Sequence, residues 1–219
     1  MVSMIGSLSF VLALAASSYA LSCIQCTSES SECSGDSATC PPNHLCGSTY
    51  TETSISGKTS ALLHKACAPL SECGFNGSIS IKKGHIRMVI ACCSSDNCTA
   101  SIPEFPTQSS IPNGVICPSC VSADSTWCYS PKTIQCRGDE SVCLLQTTKV
   151  TGSISSSIAL RGCSTKSFCD LGSQSQEVGG TSTKVKFICT NGGNSVHKVL
   201  LTPATACLLL LKFFVLENI

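Results

Sequence analysis

The side chains with the most chemistry to offer are cysteines, 19 of them in a chain of 219 residues. Cys23 and Cys26 form a C-x-x-C pair, Cys117 and Cys120 form another, and the stretch ACCSSDNCTA sets Cys92 beside Cys93 with Cys98 five residues further on. Thiols in such patterns ligate zinc, run disulfide exchange, or pair as crosslinks. A zinc site would need a second, similarly spaced pair for each metal and few spare cysteines. Redox C-x-x-C pairs draw their reactivity from a helix N-terminus in a βαβ setting, whereas the surroundings here are Ser-rich and strand-like. Crosslinking makes a different demand, an even number of cysteines in each folded unit.

Laid end to end, the cysteines repeat. Cys23, Cys26, Cys33, Cys40, Cys46, Cys67, Cys73 and Cys92 are followed, at intervals matching to within one residue, by Cys117, Cys120, Cys128, Cys136, Cys143, Cys163, Cys169 and Cys189. Eight matched positions describe one unit of about 90 residues used twice. With Cys93 and Cys98 the first copy holds ten cysteines and the second eight, and only Cys207, in the apolar C-terminal run, is left over. The parity suits disulfides, and no metal or other cofactor is expected.

Other candidate chemistry is sparse. The four histidines, His44, His64, His85 and His197, form no H-E-x-x-H, and neither a G-x-S-x-G nor a P-loop occurs. No enzymatic activity is expected, although a serine, a histidine and an acid can always converge in space. A formal net charge of +1, with no basic run longer than Lys82 and Lys83, gives no footprint for nucleic acid. Two sequons, Asn76-Gly77-Ser78 and Asn97-Cys98-Thr99, are candidate glycosylation sites. The first is expected in a turn, and in the second the middle residue is a cysteine needed for a bridge.

Around these residues the patterning is that of strands. HIRMVIACC alternates Ile86, Met88 and Ile90 against Arg87, Val89 and Ala91, and STKVKFIC alternates Val185 and Phe187 against Lys184, Lys186 and Ile188. LCGSTYTETS and SALLHKAC flank a turn at Gly57 and Lys58, and VCLLQTTKVTG with SIALRGC forms the corresponding hairpin of the second copy. The expected fold is all-β and disulfide-rich, with tandem domains at 21–100 and 115–191. The linker at 101–114 holds three prolines and suits a semi-extended segment. Aromatics make up only 5% of the chain, so a unit of this size buries little apolar surface and depends on crosslinks.

Both ends read as processing signals. Residues 1–20 carry an uncharged apolar stretch with small residues at Ser18 and Ala20, a secretory signal cleaved after Ala20. Secretion places the cysteines where thiols oxidise. The small-residue cluster NGGNS at 191–195, a short polar spacer and the apolar run 199–216 form a glycolipid-anchor signal over 192–219, with Asn191 as attachment site and Gly193 and Asn194 next to it. The rival readings are a retained membrane span and a simply secreted tail. Lys212 inside the run speaks against a span, since a charge near mid-bilayer costs about 3 kcal/mol.

LSCIQC at the mature start, the repeated spacing and the terminator CCSSDNC resemble the three-finger domain of the lymphocyte-antigen and urokinase-receptor superfamily. The resemblance implies that Cys23 pairs with Cys46, Cys26 with Cys33, Cys40 with Cys67, Cys73 with Cys92 and Cys93 with Cys98. In the second copy it implies Cys117 with Cys143, Cys120 with Cys128, Cys136 with Cys163 and Cys169 with Cys189. Two departures stand out: the family's asparagine after the last cysteine is replaced by Thr99, which implies a looser hub, and the second copy runs from Cys189 into TNGGNS without a terminal bridge.

PNGVICP, CRGDESVC and LRGC, with the ten-then-eight cysteine count, are similar to the gamma-type phospholipase A2 inhibitors over residues 21–189. That similarity implies an extracellular protein-binding module with secreted phospholipase A2 as partner, inhibited by steric masking. The alternative is a glycolipid-anchored receptor or adhesion protein of the urokinase-receptor type. Contact residues are not legible beyond the exposed tips expected at 54–58 and 149–155. Arg137, Gly138 and Asp139 spell an integrin-recognition tripeptide, but such a match is cheap and an integrin is not expected as partner.

Overall fold

The structure is a computed structural model that describes residues 20–153, 155–178 and 180–191. The expected leader up to residue 19, the tail 192–219, His197, Cys207 and the secondary attachment positions Gly193 and Asn194 lie outside the described residues. Among the described residues no helix is long and apolar enough to cross a membrane. The described residues divide into two compact units, one of residues 20–78 and 83–107, the other of residues 79–82 and those from 108 to 191.

In the first unit, β1 (Ser22–Ile24) pairs with β3 (Ser37–Thr39), while β2 (Cys26–Ser28) joins the edge of a long hairpin made by β4 (His44–Ile55) and β5 (Lys58–Pro69). The hairpin pairs antiparallel along its whole length, from His44 opposite Pro69 to Ile55 opposite Lys58. Its turn is Ser56–Gly57, one residue earlier than the pattern suggested. Both residues have positive φ, 52° and 82°, the backbone of a type I′ turn whose twist matches the strands it joins. Lys58 cannot belong to that turn because it is already paired with Ile55.

β6 (Asn76–Ile81) leads into β7 (Gly84–Cys93), which lies antiparallel on the other side of β4. The alternation expected in β7 fails near its end, where Val89 and Ile90 are both buried. There the strand is flanked, on the edge that β6 occupies further along, by Gly74 and Phe75, which exchange backbone hydrogen bonds with Ile90, and it is tied by the Cys73–Cys92 bridge. Gly84 is required by close approach: a Cβ on it would stand 2.1 Å from the Ser54 carbonyl oxygen.

The second unit repeats this plan. β8 (Pro112–Pro118) pairs with β10 (Thr133–Arg137), and β9 (Cys120–Ser122) lies on the edge of β12 (Ser156–Ser164). β11 (Val142–Thr151) sits between β12 and β14 (Thr181–Asn191), and β13 (Ser173–Val178) completes the sheet on β14. In β14 the expected alternation holds, with Val185 and Phe187 half-buried and Lys184, Lys186 and Ile188 exposed. Phe187 packs on the buried Phe168 of the short helix α1 (Lys166–Asp170), ring centres 5.5 Å apart.

Candidate binding surfaces

At the base of each unit the core is made of sulfur more than of hydrocarbon. Cys23, Cys40 and Cys46 form the buried cluster of the first unit, and Cys117, Cys136 and Cys163 that of the second. Nine disulfides join Cys23 to Cys46, Cys26 to Cys33, Cys40 to Cys67, Cys73 to Cys92, Cys93 to Cys98, Cys117 to Cys143, Cys120 to Cys128, Cys136 to Cys163 and Cys169 to Cys189. The sulfurs of Cys23, Cys40 and Cys67 converge within 4.8 Å, as do those of Cys117, Cys136 and Cys163. Every one of them is bonded to another sulfur, so none offers the thiolate charge that binds zinc. The trios are the crossing points of paired bridges.

The residues around Cys98 hold the hub of the first unit by hydrogen bonds as well. Ser22 donates its backbone N–H to the Asp96 carboxylate at 2.8 Å and accepts the Asn97 N–H at its carbonyl at 2.7 Å. Ser37 donates its hydroxyl to the Asn97 side chain at 2.6 Å, and Lys65 reaches Thr99 at 3.4 Å and the Cys33 carbonyl at 3.2 Å. The polar anchorage thus falls on Asp96 and Asn97, just before the last cysteine.

On the first unit's sheet, register places Glu52 opposite Arg87 and Ser54 opposite His85. Arg87 donates to Glu52 Oε1 from two guanidinium nitrogens at 2.5 and 3.1 Å, and His85 Nε2 stands 3.7 Å from the same oxygen. The Arg87 guanidinium also lies 4.4 Å from the centre of the Phe105 ring, which stacks on Tyr50. Ser54, His85 and Glu52 are therefore neighbours. Nevertheless the Ser54 hydroxyl accepts from Thr59 and makes no hydrogen bond to His85, while Arg87 holds the carboxylate. This is a cross-strand ion cluster, the kind that stabilises sheets.

The second unit exposes an aromatic pair beside Cys128. Trp127 is 56% and Tyr129 79% exposed, in the loop between β9 and β10. Trp127 receives the Arg161 guanidinium at 4.0 Å from its ring centre. Arg161 lies opposite Cys120 and Leu145, on the face where Cys128, Leu145 and Ala159 are packed, so the tryptophan caps that cluster from outside. Among the described residues Arg161 Nε is buried without a hydrogen-bond partner and no carboxylate pairs with the guanidinium; burial lowers its pKa, and the ring face supplies the attraction. On the opposite face of the same strands Val121 and Ile158 are exposed.

A u-PAR/Ly-6 domain profile matches the chain twice, at residues 19–101 and 113–197. The chain belongs to the u-PAR/Ly-6 family. Its relatives include a gamma-type phospholipase A2 inhibitor of Laticauda semifasciata, 30% identical over 156 residues that span 69% of this chain and 85% of the relative. A 25 kDa phospholipase A2 inhibitor chain of Naja kaouthia is 27% identical over 176 residues, 78% of this chain and 94% of the relative. The crystal structure of mouse TEX101 matches with 18% identity and a TM-score of 0.32, covering 76% of this chain and 96% of that one. The chain is a two-domain, all-β u-PAR/Ly-6 protein similar to gamma-type phospholipase A2 inhibitors.

Within this u-PAR/Ly-6 chain the other residues singled out by sequence are scattered. Asn76 is exposed and opens β6 instead of lying in a turn, and Asn97 is exposed with positive φ of 52°. His44 meets the Pro42 carbonyl at 3.0 Å, and His64 lies in β5 at 2.9 Å from the Thr27 hydroxyl. Residues 55–58 are exposed, as are Lys149, Thr151, Gly152, Ser153 and Ser155. Trp127 and Tyr129 were missed by sequence reasoning. The available signal was TWCY, which sets the chain's single tryptophan and a tyrosine on either side of a crosslinked cysteine.

Proposed function

We propose that this protein is a non-enzymatic extracellular binding module that inhibits a secreted phospholipase A2 by covering its membrane-docking face or substrate mouth. The observation that carries this reading is the similarity to the gamma-type inhibitor of Laticauda semifasciata, which spans most of that relative's length. Masking needs a rigid surface and no group with a specially tuned pKa, which suits a crosslinked β scaffold. Trp127, with Arg161 behind it and Tyr129 beside Cys128, is the proposed anchor, because exposed tryptophan, tyrosine and arginine dominate the energetics of protein interfaces. The test is hydrolysis of phospholipid vesicles by secreted phospholipase A2, titrated with the full chain made in a eukaryotic secretory line. Inhibition is expected, weakened roughly 30-fold by Trp127→Ala. No inhibition by the unaltered chain overturns the reading.

The apolar run at 199–216 favours a second reading, a glycolipid-anchored receptor or adhesion protein attached through Asn191. Phosphatidylinositol-specific phospholipase C is expected to release it from expressing cells. Protein retained on treated cells counts against the anchor.

A further inference from the structure

The Arg-Gly-Asp tripeptide sits in the second unit in a fixed turn. Its flanks are anchored: Cys136 is fully buried and bridged to Cys163, and Glu140 is 2% exposed, its carboxylate accepting the Ser80 hydroxyl at 2.8 Å. Between them the chain closes a β-turn, Glu140 donating its N–H to the Arg137 carbonyl at 3.1 Å. Gly138 takes a φ of +52°, which favours glycine, and donates its N–H to the Ile111 carbonyl at 3.2 Å. The Asn113 amide then bonds the carbonyls of Gly138 and Glu140 at 2.9 and 3.0 Å. Three backbone groups of the turn, the Gly138 N–H and the carbonyls of Gly138 and Glu140, are thus held from outside it.

The two charged side chains are not. Arg137 and Asp139 are exposed, and among the described residues neither side chain makes a hydrogen bond or an ion pair. Positions that served only the turn would not require both a guanidinium and a carboxylate. Turn geometry needs the glycine alone, and solubility is served by any charge.

We propose that Arg137–Gly138–Asp139 is a preorganised ligand for an integrin-type receptor, one that presents a bound divalent cation to the Asp139 carboxylate and an acidic pocket to the Arg137 guanidinium. A carboxylate oxygen is a natural ligand for a hard cation such as Mg²⁺. Guanidinium pairs with carboxylates in a planar fork. A turn already fixed by Asn113 and the flanking buried residues loses less conformational freedom on binding than a free peptide. The cheapness of the tripeptide match is offset by this arrangement, in which the two side chains the receptor needs are the ones left unused.

The experiment captures the epitope-tagged full chain from medium and detergent extract of expressing cells and adds a purified vitronectin-receptor integrin ectodomain with Mg²⁺. Saturable binding is expected, abolished by EDTA and by excess linear Arg-Gly-Asp peptide, and weakened roughly 30-fold or more by Asp139→Glu, which keeps the charge but moves it. A thiol titration checks that the variant has formed its bridges. Should it not have done so, Arg137→Lys, which removes the planar fork, decides in its place with a smaller loss. Absence of binding by the unaltered chain, or binding indifferent to these substitutions, overturns the proposal.

Discussion

His64 shows how one residue makes this fold sensitive to acid. In β5 it lies opposite both Thr27 and Thr49, and burial lowers its pKa against the smaller upward pull of a backbone hydrogen bond with Cys26. In the unfolded chain the imidazole regains its ordinary pKa of about 6.5 and takes a proton more readily than it does in place. Above about pH 6.5 both states are neutral and His64 contributes no pH dependence. As pH falls through the window between the unfolded and folded values, the unfolded state gains protons first and stability declines, and below the folded value the loss is complete. Urea midpoints for the unaltered chain should fall between pH 7.5 and pH 5, and His64→Gln should lessen that fall. An equal fall in both proteins would remove His64 as the cause. His64 falls within SALLHKAC, one of the two segments expected to flank the first copy's hairpin turn. Its burial came from β2 docking on β5, a pairing that no periodicity in the three residues of β2 announces. Trp127 was hidden for a related reason: whether a tryptophan beside a cysteine faces inward or outward depends on which side of the bridge the loop closes.

At the level of elements, turn chemistry and close approach decide more than hydrophobic period. The alternation of β14 was legible because one side of the strand faces solvent from Lys184 to Thr190. In β7 the same reasoning failed at Val89 and Ile90, since a neighbouring loop and a bridge bury consecutive residues. The glycine at the start of β7 carries the sharper test. A methyl group at Gly84 would meet the Ser54 carbonyl at 2.1 Å, and that oxygen belongs to a backbone already held in register from Cys46 to Ile55. The strand ends must separate to admit it. Gly84→Ala is expected to cost about 1–3 kcal/mol, read as a lower urea midpoint with an unchanged slope. Gly57→Ala at the neighbouring turn meets no atom within 4 Å but retains a φ of 82°, so its cost, about 1 kcal/mol, is one of backbone strain alone. Equal costs at the two sites would show that crowding at Gly84 is relieved without effort.

At the scale of the whole molecule, two copies of one plan differ at their ends, and the difference predicts which crosslinks the protein can lose. The spacing made the duplication and the all-β, crosslinked class legible, because a bridge fixes how far apart its cysteines stand whatever fills the loops. The first unit ends in the five-residue loop of Cys93–Cys98, whereas in the second β14 runs on past Cys189 and pairs Asn191 with Val142. A strand extension of one residue pair thus stands in one copy where the other carries a bridge. Chain-entropy estimates give about 2 kcal/mol for a loop as short as that of Cys93–Cys98 and about 3.5 kcal/mol for one as long as that of Cys40–Cys67. Burial widens the gap, since Cys40 is 2% exposed inside the hub and its loss opens a void, while Cys98 is half-buried and Asp96 and Asn97 keep their bonds to Ser22 without it. Cys93→Ala with Cys98→Ala should therefore be secreted at near-normal levels with a modest drop in urea midpoint. Cys40→Ala with Cys67→Ala should be retained in the cell, or unfold at much lower urea. If instead the terminal pair proved the more damaging to remove, the small loop would be an organiser of the hub, and the strand extension of the second unit no equivalent of it.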